Sequence, residues 1–432
     1  MGSRVQLAPI EEPSVSDDDG VHEAHRPSQS WKHPRRNAYK AAAVFYSFFV
    51  FGLNDGSYGA LLPYLEAYYK LSYTTVSLIF LSPLLGYIVA ALLSSRTHLR
   101  FGQRGVALLA TSSHIVSYTV LAFHPPYPVI VALYALAGFG YGLVDGAWNA
   151  RTATLKEAGV VQGLLSASYS LGATVSPIVV TSIASNAELD WYTFYRLMAG
   201  CSTVALIVLC TAFWDKNAST YRAESSAVQA DTRERGRTKV AMKSRITWIG
   251  SAFFFVYFGV QIALAGWVVS FMLRVRHAAR HTAAFSATGF QAGQTIGRLA
   301  FGLVSSRVTL SDTWFRWAMC LSLAVAIAFQ LVFWLVPNSI ASAAAVACVG
   351  FFLGPLFPAG VLKLVKLLPG HLHVSSIGLA TAIGGSGGAV FPFMIGAIAQ
   401  ARGVKVLQPI ILSLLAGIMA LWLAFPEKAK GL

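Results

Sequence analysis

Stretches of about 20 predominantly apolar residues recur along the chain, and each is long enough to cross a hydrocarbon core of about 30 Å as a helix. Twelve such runs fall near residues 41–65, 73–95, 105–123, 127–150, 160–184, 194–214, 246–272, 282–305, 314–335, 339–362, 373–399 and 405–425. The pattern predicts an all-α polytopic membrane protein of about 12 transmembrane helices in two pseudo-symmetric six-helix bundles. The polar breaks set the organisation: a disordered N-terminal tail over 1–37, a six-helix bundle over 38–214, a linker over 215–245, a second bundle over 246–425 and a short tail over 426–432. The linker carries eight Lys or Arg and four Asp or Glu with few apolar residues, too little apolar surface to offset the entropy of ordering. No cleavable leader is expected in the opening tail, so the first span is expected to act as its own membrane signal.

Composition strengthens this reading, since apolar residues make up 55% and charged residues 12% of the chain, about half the charged share of a soluble domain. The net charge of +15 raises the question of where the bases lie. With an even number of spans both termini share one side, and that side receives 25 of the 33 Lys and Arg, the opposite side 7, and Arg298 lies inside a span. By the positive-inside rule both termini are expected in the cytoplasm, with the plasma membrane as the expected location. The basicity is then topological: the bilayer is the partner and nucleic acid is not. Arg274, Arg276 and Arg280 fall on the wrong side, where contact with lipid headgroups is the one account composition offers. Cys201, Cys210, Cys320 and Cys348 lie within spans at spacings unlike a metal motif, and they read as packing residues.

The two halves repeat one another. Span five carries Gly163-Leu164, Ala167, Gly172, Val175 and Pro177, and span eleven carries Gly378-Leu379, Ala382, Gly387, Val390 and Pro392, at a constant offset of 215. Gly86 with Ser94-Ser95-Arg96 in span two matches Gly297 with Ser305-Ser306-Arg307 in span eight, offset 211; Gly138 to Gly142 in span four matches Gly350 to Gly354 in span ten. Small residues recur in all membrane helices, but that does not explain matched order at near-constant offset. Two parallel repeats of this kind resemble the major facilitator superfamily over nearly all of the membrane region, which implies alternating access around a site between the halves near the midplane. Gly302-x-x-x-Ser306-Arg307 resembles that superfamily's loop signature with Ser in place of the acid; the first-half version is Ala91-x-x-x-Ser95-Arg96 followed by Phe101-Gly102-Gln103-Arg104. By this resemblance Arg96, Arg104 and Arg307 are gating residues; the alternative is that they anchor the loops at headgroups.

Ionisable groups in lipid are costly and need a reason. Asp55 and Asp145 are the acids well inside spans, and both are in the first half; Glu66 lies at the outer end of span one. Gly-rich helix surrounds both, and Asn54 and Asn149 can hydrogen-bond an acid in either protonation state. Leu53-Asn54-Asp55 and the Asp145/Asn149 pair resemble the fucose–proton symporter branch, with Asp where that branch often has Glu. The resemblance implies a proton-coupling role for Asp55 and Asp145. Physically, removal from water disfavours a carboxylate, so such a group can load and release a proton; the alternative is a permanently neutral acid hydrogen-bonded between helices.

On the second half, Arg298 offers a fork of donors to an anionic or polyhydroxyl solute, unless it is tied to helix carbonyls or to an acid. Gln261, Gln291 and Gln294 could line the same wall or glue helices together. With Asn54, Tyr58, Trp148 and Asn149 they complete the candidate substrate-binding set. Gly384, Gly385, Gly387 and Gly388, followed by Pro392, are expected to loosen span eleven for gating; without a following Lys or preceding strand the run is not a phosphate loop. Gly163-x8-Gly172-x3-Ser176-Pro177 partly resembles a drug–proton antiporter signature.

These readings converge on a secondary transporter of a small organic solute, coupled to protons and without a cofactor, most simply a sugar-like symporter. Proton-driven efflux is the alternative. A membrane enzyme would need a nucleophile–base set or a metal cluster, and His114, the clear mid-span histidine, has no ligand partner at helical spacing. A non-transporting sensor would use the same residues.

Overall fold

The computed structural model describes residues 30–153, 155, 158–185, 189–220, 242–307, 312–368 and 373–426. The N-terminal tail, the middle of the linker and the C-terminal tail lie outside the described residues. The helices are α1 (Arg35–Tyr69), α2 (Tyr73–Val76), α3 (Leu78–Leu121), α4 (Tyr127–Ala153), α5 (Ala158–Ser185), α6 (Thr193–Ala212), α7 (Arg245–Arg274), α8 (Arg280–Arg307), α9 (Asp312–Leu335), α10 (Ser339–Leu353), α11 (Leu356–Leu367), α12 (His373–Arg402) and α13 (Leu407–Ala424). Helix α3 reverses at Gly102, where φ is +67°. A side chain there would strike the backbone of Asn217, so glycine is needed both for the left-handed turn and for the close approach. The two arms of α3 make spans two and three, α10 and α11 together make span ten, and the described residues cross twelve times.

Nine described helices are long and apolar enough to cross a membrane by length and composition alone. The first, third and eighth crossings fall outside that set. They hold Asp55, His114 and Arg298 respectively.

The repeated glycines share one structural use. Gly86 and Gly138 let spans two and four touch, facing the Ala135 and Pro83 carbonyls; Gly297 and Gly350 do the same for spans eight and ten against Phe351 and Phe290. Gly172 faces the Phe49 carbonyl of span one, and its repeat partner Gly387 faces the Phe255 carbonyl of span seven. Without a hydrophobic drive between helices in lipid, this backbone proximity carries association.

The halves meet through spans one and seven, two and eleven, and five and eight. On the side away from the termini they are tied by the Glu66–Arg274 ion pair at 2.8 Å and by the Tyr73 amide donating to Gln400 Oε1 at 2.8 Å. Arg280 lies 5.7 Å from the Tyr64 ring centre, and Arg276 donates to the Phe333 and Trp334 carbonyls at 2.7 Å each. Protein contacts, and not the lipid headgroups expected from composition, thus account for the three arginines on the base-poor side. The same contacts close that end of the molecule.

Candidate functional site

Asp55 sits near the middle of α1. Its Oδ2 accepts from the Tyr169 hydroxyl of α5 at 2.9 Å, and its Oδ1 from Asn54 Nδ2 at 3.3 Å. Asn54 Nδ2 also donates to the Tyr58 hydroxyl at 2.7 Å, and the Tyr58 ring lies 5.1 Å from that of Tyr134. Asp145, on α4, accepts from the Tyr87 hydroxyl of α3 at 2.6 Å and from Asn149 Nδ2 at 2.8 Å. Between the two acids the Tyr141 ring lies 6.2 Å from Tyr87 and 4.6 Å from Phe51. Each carboxyl therefore has two side-chain donors, one of them the neighbouring Asn54 or Asn149; Asn54, Tyr58 and Asn149 are not among the residues lining the pocket between the halves.

Tyr169 connects this acid network to the surface between the halves. It lines a pocket with Ser170 on α5 and, across the junction, Gln261 on α7 and Gln291, Gln294, Thr295 and Arg298 on α8. The four second-half residues singled out by sequence, Gln261, Gln291, Gln294 and Arg298, thus come together. Arg298 reaches Gln261 Oε1 at 3.4 Å and the Tyr257 hydroxyl at 3.5 Å. The sequence reading missed Tyr169, Tyr87, Ser170 and Thr295. For the tyrosines the available signal was a phenol hydroxyl placed mid-span, which needs a partner when buried.

Other expectations fall elsewhere. Trp148 is 0% exposed and stacks on Phe213 at 4.4 Å inside the first bundle, so packing accounts for it and the pocket does not contain it. In span eleven, α12 runs unbroken over His373–Arg402, Gly384 and Gly388 pack on Phe254 and Ile262, and Gly385 faces open space. Close approach to span seven uses Gly384, Gly387 and Gly388, but not Gly385. Gly172 and Ser176 are likewise used in packing, the latter donating to the Leu53 carbonyl. His114 Nε2 lies 3.0 Å from the Ala137 carbonyl.

At the loop between spans two and three, Arg96 is exposed, while Arg104 lies 3.3 Å from the Trp214 ring centre and its amide donates to the Lys216 carbonyl at 3.1 Å. The backbone of Arg307 ends α8; its side chain lies outside the described residues. At the end of the first bundle Asp215 pairs with Lys40 at 3.1 Å and Arg36 at 3.2 Å. Burial pushes the Asp215 carboxyl up, but the Lys40 hydrogen bond and charge outweigh it and hold the pKa below the ordinary carboxylate range.

The family model described as Major Facilitator Superfamily matches residues 44–392, and the chain belongs to that superfamily. It is a multi-pass membrane transporter, and membership sets aside the membrane-enzyme reading. The chain is 30% identical to Bypass of stop codon protein 6 of Saccharomyces cerevisiae over 90% of its own length and 82% of the relative's. It is 22% identical to the Glucose/mannose transporter GlcP of Bacillus subtilis, over 81% and 85% of the two chains. Among solved structures it resembles a point mutant of the nucleoside transporter NupG, with a TM-score of 0.72, 14% identity and coverage of 90% and 100%. It also resembles a D-xylose-proton symporter, with a TM-score of 0.69, 13% identity and coverage of 91% and 99%.

Proposed function

We propose that this secondary transporter is a proton-coupled symporter of a hydroxyl-rich organic solute, working by alternating access at the pocket between spans five, seven and eight. The observation that carries the proposal is Tyr169: one hydroxyl-bearing ring both holds the Asp55 carboxyl and lines the inter-half pocket. A change of protonation at Asp55 is thereby felt where solute would bind, and solute that recruits the Tyr169 hydroxyl changes what Asp55 has as a partner. That is a coupling free energy between two sites, reciprocal by linkage.

Asp145, with Tyr87 and Asn149, supplies the second protonatable position, as the resemblance to the fucose–proton branch implies. The similar proteins named for glucose/mannose, nucleoside and D-xylose support a hydroxyl-rich solute. Amide and phenol groups that can both donate and accept suit such a surface. Import is favoured over export because Gly172 and Ser176, two of the span-five residues resembling an antiporter signature, are used in packing. The distribution of bases supports cytoplasmic termini; the proposed location is the plasma membrane, with 215–245 linking the bundles.

The test is uptake by the purified chain in lipid vesicles. Under an inward proton gradient, at least one solute of a labelled panel of sugars, polyols, nucleosides and sugar acids accumulates above equilibrium, and a protonophore abolishes the accumulation. Equilibration of every transported solute to the same level with and without the gradient would remove protons from the mechanism.

A further inference from the structure

The second-half wall of the pocket carries hydrogen-bond donors that the protein leaves unused. Among the described residues no carboxylate lies within ion-pair distance of Arg298. Its side-chain partners are the neutral Gln261 and Tyr257, at 3.4 and 3.5 Å, the long limit of hydrogen bonding. Its Nε has no acceptor, and neither has Nε2 of Gln294, which is 2% exposed. Four positions apart on α8, the two side chains share one helix face, and both line the pocket. A guanidinium kept in lipid without a counter-charge is costly and is retained where function uses it. The two acids of the first half are already engaged, each by two side-chain donors.

We infer that the solute bears one carboxylate: it is a sugar acid or polyhydroxy acid whose carboxylate lies on the Arg298 fork and the Gln294 amide, with its hydroxyls toward Gln261, Gln291 and Tyr169. The inference rests on the reading of this pocket as the transport site. The planar fork matches a carboxylate in two parallel hydrogen bonds, and a single cation balances a monoanion, whereas a phosphate dianion would need a second. A proton loaded on the first half and a carboxylate held on the second cross together as a neutral pair, the least costly cargo for a low-dielectric passage.

The experiment is thermal unfolding of the full chain in detergent, titrated with gluconate and glucuronate, with their neutral counterparts glucitol and glucose, and with inorganic phosphate, at constant ionic strength. A ligand of the native state raises the unfolding midpoint. The acids should act at concentrations at least about tenfold below their neutral counterparts, and phosphate should give no shift. Arg298→Gln should remove the acids' advantage, and Arg298→Lys should restore part of it. If Arg298→Gln does not yield folded protein, Gln294→Met takes its place and should weaken the acid shift while sparing any shift from neutral sugars. Equal response to acids and neutral counterparts, no acid-dependent shift, a phosphate response exceeding the acids', or an acid advantage surviving Arg298→Gln would overturn the inference. Vesicle uptake separates the two proposals: gradient-driven flux of glucose without gluconate sinks the acid and keeps the symporter, whereas an acid-dependent shift without flux of any solute keeps the acid site and sinks the symporter.

Discussion

Asp145→Asn is expected to abolish proton-driven accumulation while leaving solute exchange between the two faces of the membrane intact. The substitution keeps the shape of the side chain and an oxygen for the Tyr87 hydroxyl, which lies 2.6 Å from the native carboxyl. It removes the group that can gain and lose a proton. Without that proton the gradient no longer drives the solute, so the ratio of accumulated to external solute should fall to the equilibrium level, about tenfold for each unit of imposed pH difference at one proton per solute. Counterflow exchange, which needs binding and alternation but no net proton movement, should continue near the parental rate. Gradient-driven accumulation at the parental level in Asp145→Asn would remove this acid from the coupling path. Loss of exchange and accumulation together, in protein that remains folded, would assign it to binding or structure.

The second large effect concerns the framework. Gly387→Leu, at the point where α12 meets the Phe255 carbonyl, should give little or no folded protein, and Gly172→Leu, its repeat counterpart against the Phe49 carbonyl, should do the same. Neither site can accept a side chain without separating two helices at their closest approach, and such overpacking costs about 1–3 kcal/mol or more per site. Gly385→Ala, two positions before Gly387, adds its methyl to open space and should be neutral or slightly stabilising, because alanine loses less backbone entropy in a helix. Yield of monodisperse protein and its unfolding midpoint distinguish these outcomes. Equal tolerance at 385 and 387 would mean that the run serves flexibility and not contact.

Much of the fold was legible because lipid imposes length and apolarity on every crossing, and the correspondence of the two halves followed from glycines repeated at a near-constant offset. The acids and their Asn partners were legible for a related reason: a carboxyl inside an apolar run stands out. The tyrosines that complete the site did not stand out, since 17 Tyr are distributed over the chain and an aromatic in a membrane helix is ordinary. That Tyr169 faces Asp55 depends on how α5 rotates against α1, which is set by Gly52, Gly56 and Gly172 acting together. Trp148 was misread for the converse reason, because depth within a span says nothing about a side chain's direction, and it turns into the bundle onto Phe213. Arg274, Arg276 and Arg280 violated a topological rule that counts charges without regard to partners. Those partners are Glu66, backbone carbonyls and aromatic rings gathered from distant parts of the chain.

The account depends on the two halves alternating about the pocket, in response to protons, from the form closed on the side away from the termini. Spin-label distances across the halves test this most directly, in a background with Cys201, Cys210, Cys320 and Cys348 replaced. One pair, at Leu189 and Ile340, reports the closed side, and another, at Leu99 and Trp317, reports the side of the termini; all four residues are exposed. Lowering the pH in the presence of a transported solute should lengthen the first distance and shorten the second. Distances that stay fixed, or that change in the same direction, would contradict it.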